Sequence, residues 1–182
     1  MYSRIVKLQQ VRIRNQGHRI RLIEQQVRES LHGEDFAALR YVVSPRRALA
    51  GVPARDDEAQ AAAVWEWTRQ EVMYIPDPWP FDLFPTAGAV LSYGTGDCDC
   101  HTIVNCSLLA ILGFPVGVRL ILTDEAGGNL WHVYATVWMP RDAPTHAVAF
   151  DTAWDKSQGV GDEYPIEQTR HFDEFVLELR KN

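Results

Sequence analysis

Apolar residues recur at helical spacing through the first part of the chain, with polar side chains between them. In residues 19–32, isoleucine, valine and leucine return every three or four positions, while arginine and glutamine occupy the opposite side. This period is typical of an amphipathic helix that packs on a core. The pattern predicts three such helices, over residues 19–32, 35–43 and 57–73. Segments 44–56 and 74–85 are predicted to be loops because they hold two and four prolines, which disrupt helices and central strands.

Residues 102–112 are apolar almost all the way round a helix, a composition typical of a helix buried on every side. The helix follows the segment Gly96-Asp97-Cys98, in which glycine allows a sharp turn and Asp97 is a natural N-cap. Gly113 ends the helix, and Pro115 prevents it from resuming. The sequence therefore predicts a central helix that begins with a cysteine.

Beyond residue 115 the pattern changes to short strand-like runs separated by turn residues. It predicts strands over residues 118–123, 131–139 and 146–151, and the short turns between them favour an antiparallel meander. The chain is then predicted to be irregular to residue 165. A closing helix is predicted from the spacing of Phe172, Phe175, Val176 and Leu179. Together these elements predict an α+β fold in which the cysteine-bearing helix packs on an antiparallel sheet, with further helices on the N-terminal side.

The composition is that of one globular domain, with 182 residues, of which 46% are hydrophobic and 23% charged. No apolar run approaches the ~18 residues of a membrane helix. The first residues are basic and lack a signal-peptide pattern, so we expect a cytoplasmic protein without membrane association. The three cysteines are an odd number, which indicates free thiols in a reducing compartment.

Charge is distributed unevenly along the chain. Residues 1–32 carry a net charge of +5, and the remaining residues carry −11. The overall charge of −6 argues against nucleic acid as a partner, because a phosphate-binding face is strongly basic. The basic residues 1–32 could contact an acidic partner protein, or they could form a solvated helix face.

The position of Cys98 is the strongest local indication of a reactive side chain in the sequence. At the first turn of a helix, the helix dipole and free N–H groups favour a thiolate, lower the thiol pKa and can hold an oxyanion. A thiolate nucleophile also needs a base and a group that orients the base. His132, near the start of the second strand, and Asp151, at the end of the third, are the candidates. Asp151 shares a face with Ala147 and Ala149, whose small side chains would let the helix approach closely, whereas the pattern leaves the direction of His132 open.

These segments resemble the transglutaminase-like superfamily, a branch of the papain-like cysteine enzymes, and especially its bacterial and phage-encoded members. The resemblance covers residues 57–155 and is carried by VWEWTRQEVMYIPDP (64–78), LFPTAGAVLSYGTGDC (83–98), GDCDCH (96–101), NCSLLAILGFPV (105–116), WHVYATV (131–137) and AFDTAW (149–154). It implies a papain-like fold and a triad in which Cys98 is the nucleophile, His132 the base and Asp151 the orienting acid. Relatives commonly carry an aspartate where this chain has Cys100.

The resemblance also implies a function: cysteine-dependent acyl transfer on an amide or ester of a protein or peptide substrate, without a cofactor. Release of the thioester by water would make the protein a peptidase or amidase, and release by an amine would make it a transglutaminase. The alternative is a binding or assembly module with an idle triad, associated with a phage or prophage particle. Residues 1–45 lie outside the resemblance and are predicted to be an N-terminal helical segment and candidate docking element, whereas residues 46–182 form the catalytic domain.

Other roles for the same residues stay open. Cys98 could be an inert buried thiol, His132 a satisfied core histidine, and Asp151 a turn residue with Asp155 as its competitor. A metal site would recruit Cys98, Cys100, His101 and His132, but the C-x-C-H spacing is not a usual zinc pattern and no metal is predicted. Cys98 and Cys100 diverge on a helix, and Cys106 lies ~12 Å from Cys98 along the axis, so no disulfide is expected.

Several further residues are candidates for the pocket because they lie beside the predicted triad in sequence. His101 is one helical turn from Cys98 and could line the pocket or modulate the thiolate. The other pocket candidates are Asp97, Asp99, Trp131 and Trp154. The aromatic residues near the site, which also include Trp79, Phe81 and Phe84, could wall a substrate groove or anchor the core and loops.

Overall fold

The computed structural model describes residues 10–78, 80–123, 130–165 and 169–179, and the elements below lie within these ranges. Five helices are α1 (Gln16–Ser30), α2 (Gly33–Val42), α3 (Asp57–Glu71), α4 (Ala87–Tyr93) and α5 (Cys98–Ile111). Short strands are β1 (Gln10–Val11), β2 (Met73–Tyr74), β3 (Asp82–Leu83) and β4 (Thr95–Gly96), and longer ones are β5 (Val116–Thr123), β6 (Leu130–Met139), β7 (His146–Phe150) and β8 (Thr169–Val176). The fold is α+β, as predicted.

The main sheet is antiparallel, with the strand order β7-β6-β5-β8. The predicted meander is therefore confirmed for β5, β6 and β7, while the predicted turn over 124–129 lies outside the described residues. The first short pair, β1 with β3, is antiparallel. The second pair, β2 with β4, is parallel and places Tyr74 opposite Gly96, two residues before Cys98.

Helix α5 is the central element of the core. Asp97 caps it by accepting a hydrogen bond from the Cys100 N–H (3.1 Å), and the helix is buried along most of its length. Its apolar side chains share one cluster with Val133, Ala135 and Val137 of β6. Helices α1, α2, α3 and α4 pack around the rest of α5. The predicted arrangement, a cysteine-bearing helix on an antiparallel sheet, is confirmed.

The predicted closing helix is wrong, because Phe172, Phe175 and Val176 lie in strand β8, and Leu179 follows the strand outside any helix. The strand pairs with the free edge of β5, from Gly117 opposite Val176 to Leu122 opposite His171. A Cβ on Gly117 would lie 2.7 Å from the Phe175 backbone oxygen, so glycine is needed where the strands meet. The aromatic spacing matches a helix, but the unpaired backbone of β5 makes a strand the better-satisfied structure.

Two other features differ from the sequence-based expectation. Helix α4 occupies residues for which no element was predicted, between the cap residues Thr86 and Gly94, the latter in the left-handed conformation (φ 68°). Ala149 also does not face α5. It packs with Ile121 and Tyr134 in a separate cluster on the other side of the sheet, so close approach of the helix does not depend on it.

The N-terminal helices share the core of the rest of the chain. Ile23 and Val27 of α1 are fully buried in the same cluster as α5. The predicted division at residue 45 stays a prediction. Within the described ranges, no helix combines the length and the apolar composition needed to cross a membrane. All three cysteines are free.

Candidate active site

Cys98 is the first residue of α5, and β6 holds it in place. Its side chain is 8% exposed, and the backbone N–H of Val133 hydrogen-bonds the sulfur. The Thr102 hydroxyl lies 2.7 Å from the Cys98 carbonyl oxygen and 3.2 Å from that of Val133. The first turn of the helix therefore contacts the strand at the residue that directly follows His132.

His132 and Asp151 form a buried hydrogen bond beside this contact. The His132 Nε2–H donates to Asp151 Oδ2 at 2.6 Å, and the two residues are 7% and 2% exposed. The other carboxylate oxygen accepts the N–H groups of Ala153 (2.9 Å) and Trp154 (3.1 Å). With its proton on Nε2, the neutral His132 ring carries a lone pair on Nδ1. The direction of His132, which the pattern left open, is thus inward, toward Asp151.

The surroundings of Asp151 favour its ionised form. Burial alone would raise the pKa of Asp151. The charge and hydrogen bond of His132, together with the two backbone N–H groups, outweigh burial and lower this pKa below its ordinary value. The competing candidate, Asp155, is exposed. Asp151 is therefore placed to orient the His132 ring and to stabilise its protonated form.

Four side chains hold the turn that carries Asp151. From α3, Trp65 Nε1–H donates to the Asp151 carbonyl (2.9 Å), and Arg69 donates to the carbonyl of Trp154 (2.6 Å). From α5, Asn105 and His101 both bond the hydroxyl of the next residue, Thr152, at 2.8 Å. The carboxylate is thus tied to the helix that carries Cys98 and not only to its own strand.

The Thr152 hydroxyl contacts both Asn105 and His101. The hydroxyl oxygen accepts the Asn105 N–H and lies 2.8 Å from His101 Nδ1. The other ring nitrogen of His101, Nε2, is buried without a partner among the described residues. Burial, with Arg69 and His132 adding to the effect, lowers the pKa of His101 to about 4. His101 is therefore a neutral imidazole at pH 7.

The opposite side of the same helical turn is acidic. One polar atom each from Asp97, Cys98 and Asp99 lie within 4.8 Å of one another. Burial raises the pKa of the Cys98 thiol well above its ordinary value, and both carboxyls raise it further. Arg19 and the Val133 N–H oppose this rise. The lowered thiol pKa expected from the helix dipole is therefore not found in the closed site.

Arg19, from α1, reaches into this acidic region. It donates to the fully buried carboxylate of Asp99, and its other terminal nitrogen lies 2.8 Å from Asp82. Burial, with Asp97 adding to it, raises the pKa of Asp99 even though Arg19 opposes the shift. The guanidinium links the N-terminal helix to the first turn of α5.

The residues of the alternative metal site do not converge on one point in the structure. Cys100 points away from the sheet, with its sulfur 3.9 Å from the Leu83 carbonyl. His101 faces Thr152, and His132 faces Asp151. Among the described residues, the group that could hold a metal is Asp97, Cys98 and Asp99. The expectation that no cofactor is required stays a prediction.

The aromatic candidates take different positions. Trp154 stacks on Tyr164 with ring centroids 4.2 Å apart, and Tyr164 lies 5.2 Å from the His132 ring. Trp131 is half-buried and packs against the main core. Phe84 is buried and Phe81 is exposed, and Trp79 lies outside the described residues. Tyr164 thus lies against the imidazole and Trp154 packs on Tyr164, whereas Trp131 and Phe84 have core contacts.

Several residues of the site were not predicted. Arg19 lies in the segment outside the family resemblance, and nothing in its local pattern sets it apart from the other arginines of α1. Tyr164 lies in a segment predicted only to be irregular. Thr152 directly follows the candidate Asp151, and this adjacency was the signal that could have found it.

No protein-family model matches this sequence, and no curated protein matches it either. Among solved structures, the chain is similar to a protein from Cytophaga hutchinsonii that is described as a "putative cysteine protease". The two chains are 14% identical, with a TM-score of 0.45 over 65% of this chain and 34% of that one. The chain thus spans about a third of that protein's length. Function is therefore argued from the geometry of the site itself.

Proposed function

We propose that this protein is a transglutaminase-like enzyme that transfers acyl groups through Cys98, His132 and Asp151. One observation carries the proposal: the buried His132–Asp151 hydrogen bond of 2.6 Å, directly beside the strand residue whose N–H bonds the Cys98 sulfur. A nucleophile, a base and a group that orients the base are the parts that covalent acyl transfer needs. Here they come from the start of α5, the start of β6 and the turn that follows β7.

The chemistry follows from this arrangement. His132 Nδ1 takes the proton of the Cys98 thiol, and the sulfur attacks the carbonyl carbon of an amide or ester. Backbone N–H groups at the start of α5 stabilise the oxyanion. The tetrahedral intermediate collapses, the C–N or C–O bond breaks, and His132 gives its proton to the leaving group. A thioester remains on Cys98.

The second half of the reaction releases the acyl group. Water, deprotonated by His132, yields a carboxylic acid and regenerates the thiol, as in a peptidase or amidase. An amine yields a new amide, as in a transglutaminase. We propose a protein or peptide as the substrate. We also propose that the protein is cytoplasmic or virion-associated. Residues 1–32 would contact a partner protein.

The closed state of the site favours a second candidate, the binding or assembly module with an idle triad. Cys98 is 8% exposed, His132 7% and Asp151 2%. Together with the raised pKa of the Cys98 thiol, this burial describes a site that does not react as it stands. The two candidates differ in whether a substrate can open the site and acylate Cys98.

Trapping of the acyl-enzyme distinguishes the two. The protein is incubated with p-nitrophenyl acetate, and its intact mass and released nitrophenol are followed with time. Acyl transfer predicts a burst of nitrophenol and a mass gain of one acetyl group on the peptide that contains Cys98. Cys98→Ala and His132→Ala should lose both signals, whereas Cys106→Ala should keep them. Absence of the burst in the unaltered, folded protein would favour the idle module.

A further inference from the structure

The first turn of α5 places acidic side chains next to the Cys98 sulfur, which must become a thiolate in order to react. Oxygen atoms of Asp97 and Asp99 lie within 4.8 Å of each other and of the Cys98 sulfur. Two more acidic groups come from the chain before α4, Asp82 in β3 and Asp77 ahead of it. Asp82 is partly exposed, and Asp77 has a pKa raised to about 6, chiefly by burial and then by Asp97. A thiolate at Cys98 is opposed by this charge unless a cation offsets it.

Tyr74 and His101, which lie near Cys98, do not supply that cation. The Tyr74 phenol, from β2, has a pKa raised to about 12, chiefly by burial and then by Cys98 itself, so it is neutral. His101, one turn along α5, is also neutral because its pKa is lowered to about 4, chiefly by burial. On the sheet side, the positive charge that His132 can acquire is shared with Asp151.

Arg19 is the cation that the structure places against these acids. Its two terminal nitrogens contact Asp99 and Asp82, and its side chain is 13% exposed. Asp99 is fully buried, so little solvent screens the pair. The helix that carries Arg19 is α1, which packs directly on α5.

We propose that Arg19 is a positioning residue of the Cys98 site: by holding the carboxylates of Asp99 and Asp82, its guanidinium offsets their charge and lets Cys98 form a thiolate. The inference rests on the proposed function and extends it. The site then includes the N-terminal helix, which the family resemblance does not cover. Residues 1–45 would contribute to the reactivity of Cys98 as well as to any docking.

The test measures how fast the Cys98 thiol is alkylated at each pH. The full chain is treated with iodoacetamide across pH 5–10 under native conditions, and the alkylation rate of each cysteine is read by peptide mass spectrometry. Arg19→Gln should move the midpoint of the Cys98 rate profile up by about one pH unit, the lower end of the effect of a neighbouring opposite charge. Arg21→Gln, an exposed arginine on the same helix, is the matched control and should leave the midpoint in place.

Two further variants separate charge from structure. Arg19→Lys keeps the positive charge and should keep the midpoint within a few tenths of a pH unit. Arg19→Gln/Asp99→Asn removes the pair together and should return the midpoint toward that of the unaltered protein. If Arg19→Gln does not fold, Asp99→Asn takes its place: it keeps the guanidinium and removes one acid beside Cys98, so a charge effect predicts a midpoint below that of the unaltered protein, whereas an Arg19–Asp99 pair without influence on Cys98 predicts no change. Cys100, which is 3% exposed, reports unfolding because it becomes reactive when the core opens.

The proposal is overturned if folded Arg19→Gln gives the same Cys98 profile as Arg21→Gln, or if Arg19→Lys and the double variant lose Cys98 reactivity. It is also overturned if Cys98 in the unaltered protein reacts no faster than Cys100 at every pH. Failure of the proposed function looks different. In that case acetylation by p-nitrophenyl acetate is absent while the midpoint shift of Arg19→Gln persists.

Discussion

The first turn of α5 has two sides with different physical character. On the sheet side, His132 and Asp151 share a directional hydrogen bond of 2.6 Å, and the backbone N–H of the next residue, Val133, hydrogen-bonds the Cys98 sulfur. On the helix side, Asp99 and Arg19 form a buried ion pair. A hydrogen-bonded imidazole can pass a proton, whereas a buried ion pair mainly sets the local charge. We therefore expect changes on the sheet side to affect the chemistry most and changes on the helix side to affect stability most.

The largest expected effect is on the sheet side. Asp151→Asn preserves the size of the side chain but removes the charge that orients and stabilises the protonated His132. Acyl transfer should fall by roughly 10³–10⁴-fold, measured as the rate of nitrophenol release. Asp155→Asn, four residues further along and exposed, is the control and should retain the activity. Equal activities in the two variants would contradict the assignment of Asp151.

Substitutions on the helix side should mainly lower the free energy of unfolding. Arg19→Met leaves the fully buried carboxylate of Asp99 without its cation, and we expect a loss of about 3–5 kcal/mol in the free energy of unfolding. Arg19→Met/Asp99→Leu removes both charges and should recover most of that loss. Urea denaturation followed by circular dichroism measures both. If the double variant were as unstable as the single one, the ion pair would not be the cause.

The contrast between the two sides also explains what the sequence could and could not predict. Cys98, His132 and Asp151 could be proposed from the sequence because each lies at the end of an element, where local signals are strong: a glycine turn with an N-cap and the limits of two strands. The Arg19–Asp99 pair joins residues 80 positions apart, and no local pattern links them.

The misassigned β8 segment illustrates the same limit. The spacing of Phe172, Phe175, Val176 and Leu179 fits a helix as well as any segment in the chain. The segment is a strand because β5 offers an open edge to pair with, and because Arg119 of β5 forms an ion pair with Glu174 at 3.2 Å. Both causes lie more than 50 residues away in sequence, so tertiary context overrides the local preference.

A pH effect on stability should come from His101, which lies between the two sides. Its pKa is about 4 in the folded protein, chiefly because of burial, against an ordinary value of 6.5. As the pH falls below 6.5, the unfolded chain binds a proton at this histidine that the folded chain does not, so His101 contributes a loss of stability until the pH reaches about 4. Its contribution over this window is roughly 3 kcal/mol, whereas the raised pKa values of Asp77, Asp97 and Asp99 contribute in the opposite sense.

Urea unfolding at several pH values between 7 and 4 measures this loss. His101→Asn should lose roughly 3 kcal/mol less than the unaltered chain across that window, since the histidine is gone while the carboxyls titrate in both proteins. His146→Asn, at an exposed position on β7, should leave the profile unchanged. Asp151 contributes at lower pH, because a carboxyl with a lowered pKa loses its stabilising effect only as the pH falls below its ordinary range. A profile as steep in His101→Asn as in the unaltered chain would show that another group causes the loss.

The smallest effect is expected for Thr152→Val. This variant tests whether the sheet side and the helix side are connected through the Thr152 hydroxyl. Thr152→Val removes the hydroxyl shared by Asn105 and His101 and leaves two buried polar atoms without their partner. We expect a loss of about 1–3 kcal/mol in the free energy of unfolding. Activity should fall as well, because the turn that carries Asp151 loses its attachment to α5. Thr152→Ser retains the hydroxyl and should restore both quantities. If Thr152→Val lost stability but kept full activity, His101 and Asn105 would support the fold alone, and the orientation of Asp151 would depend on Trp65 and Arg69 from α3.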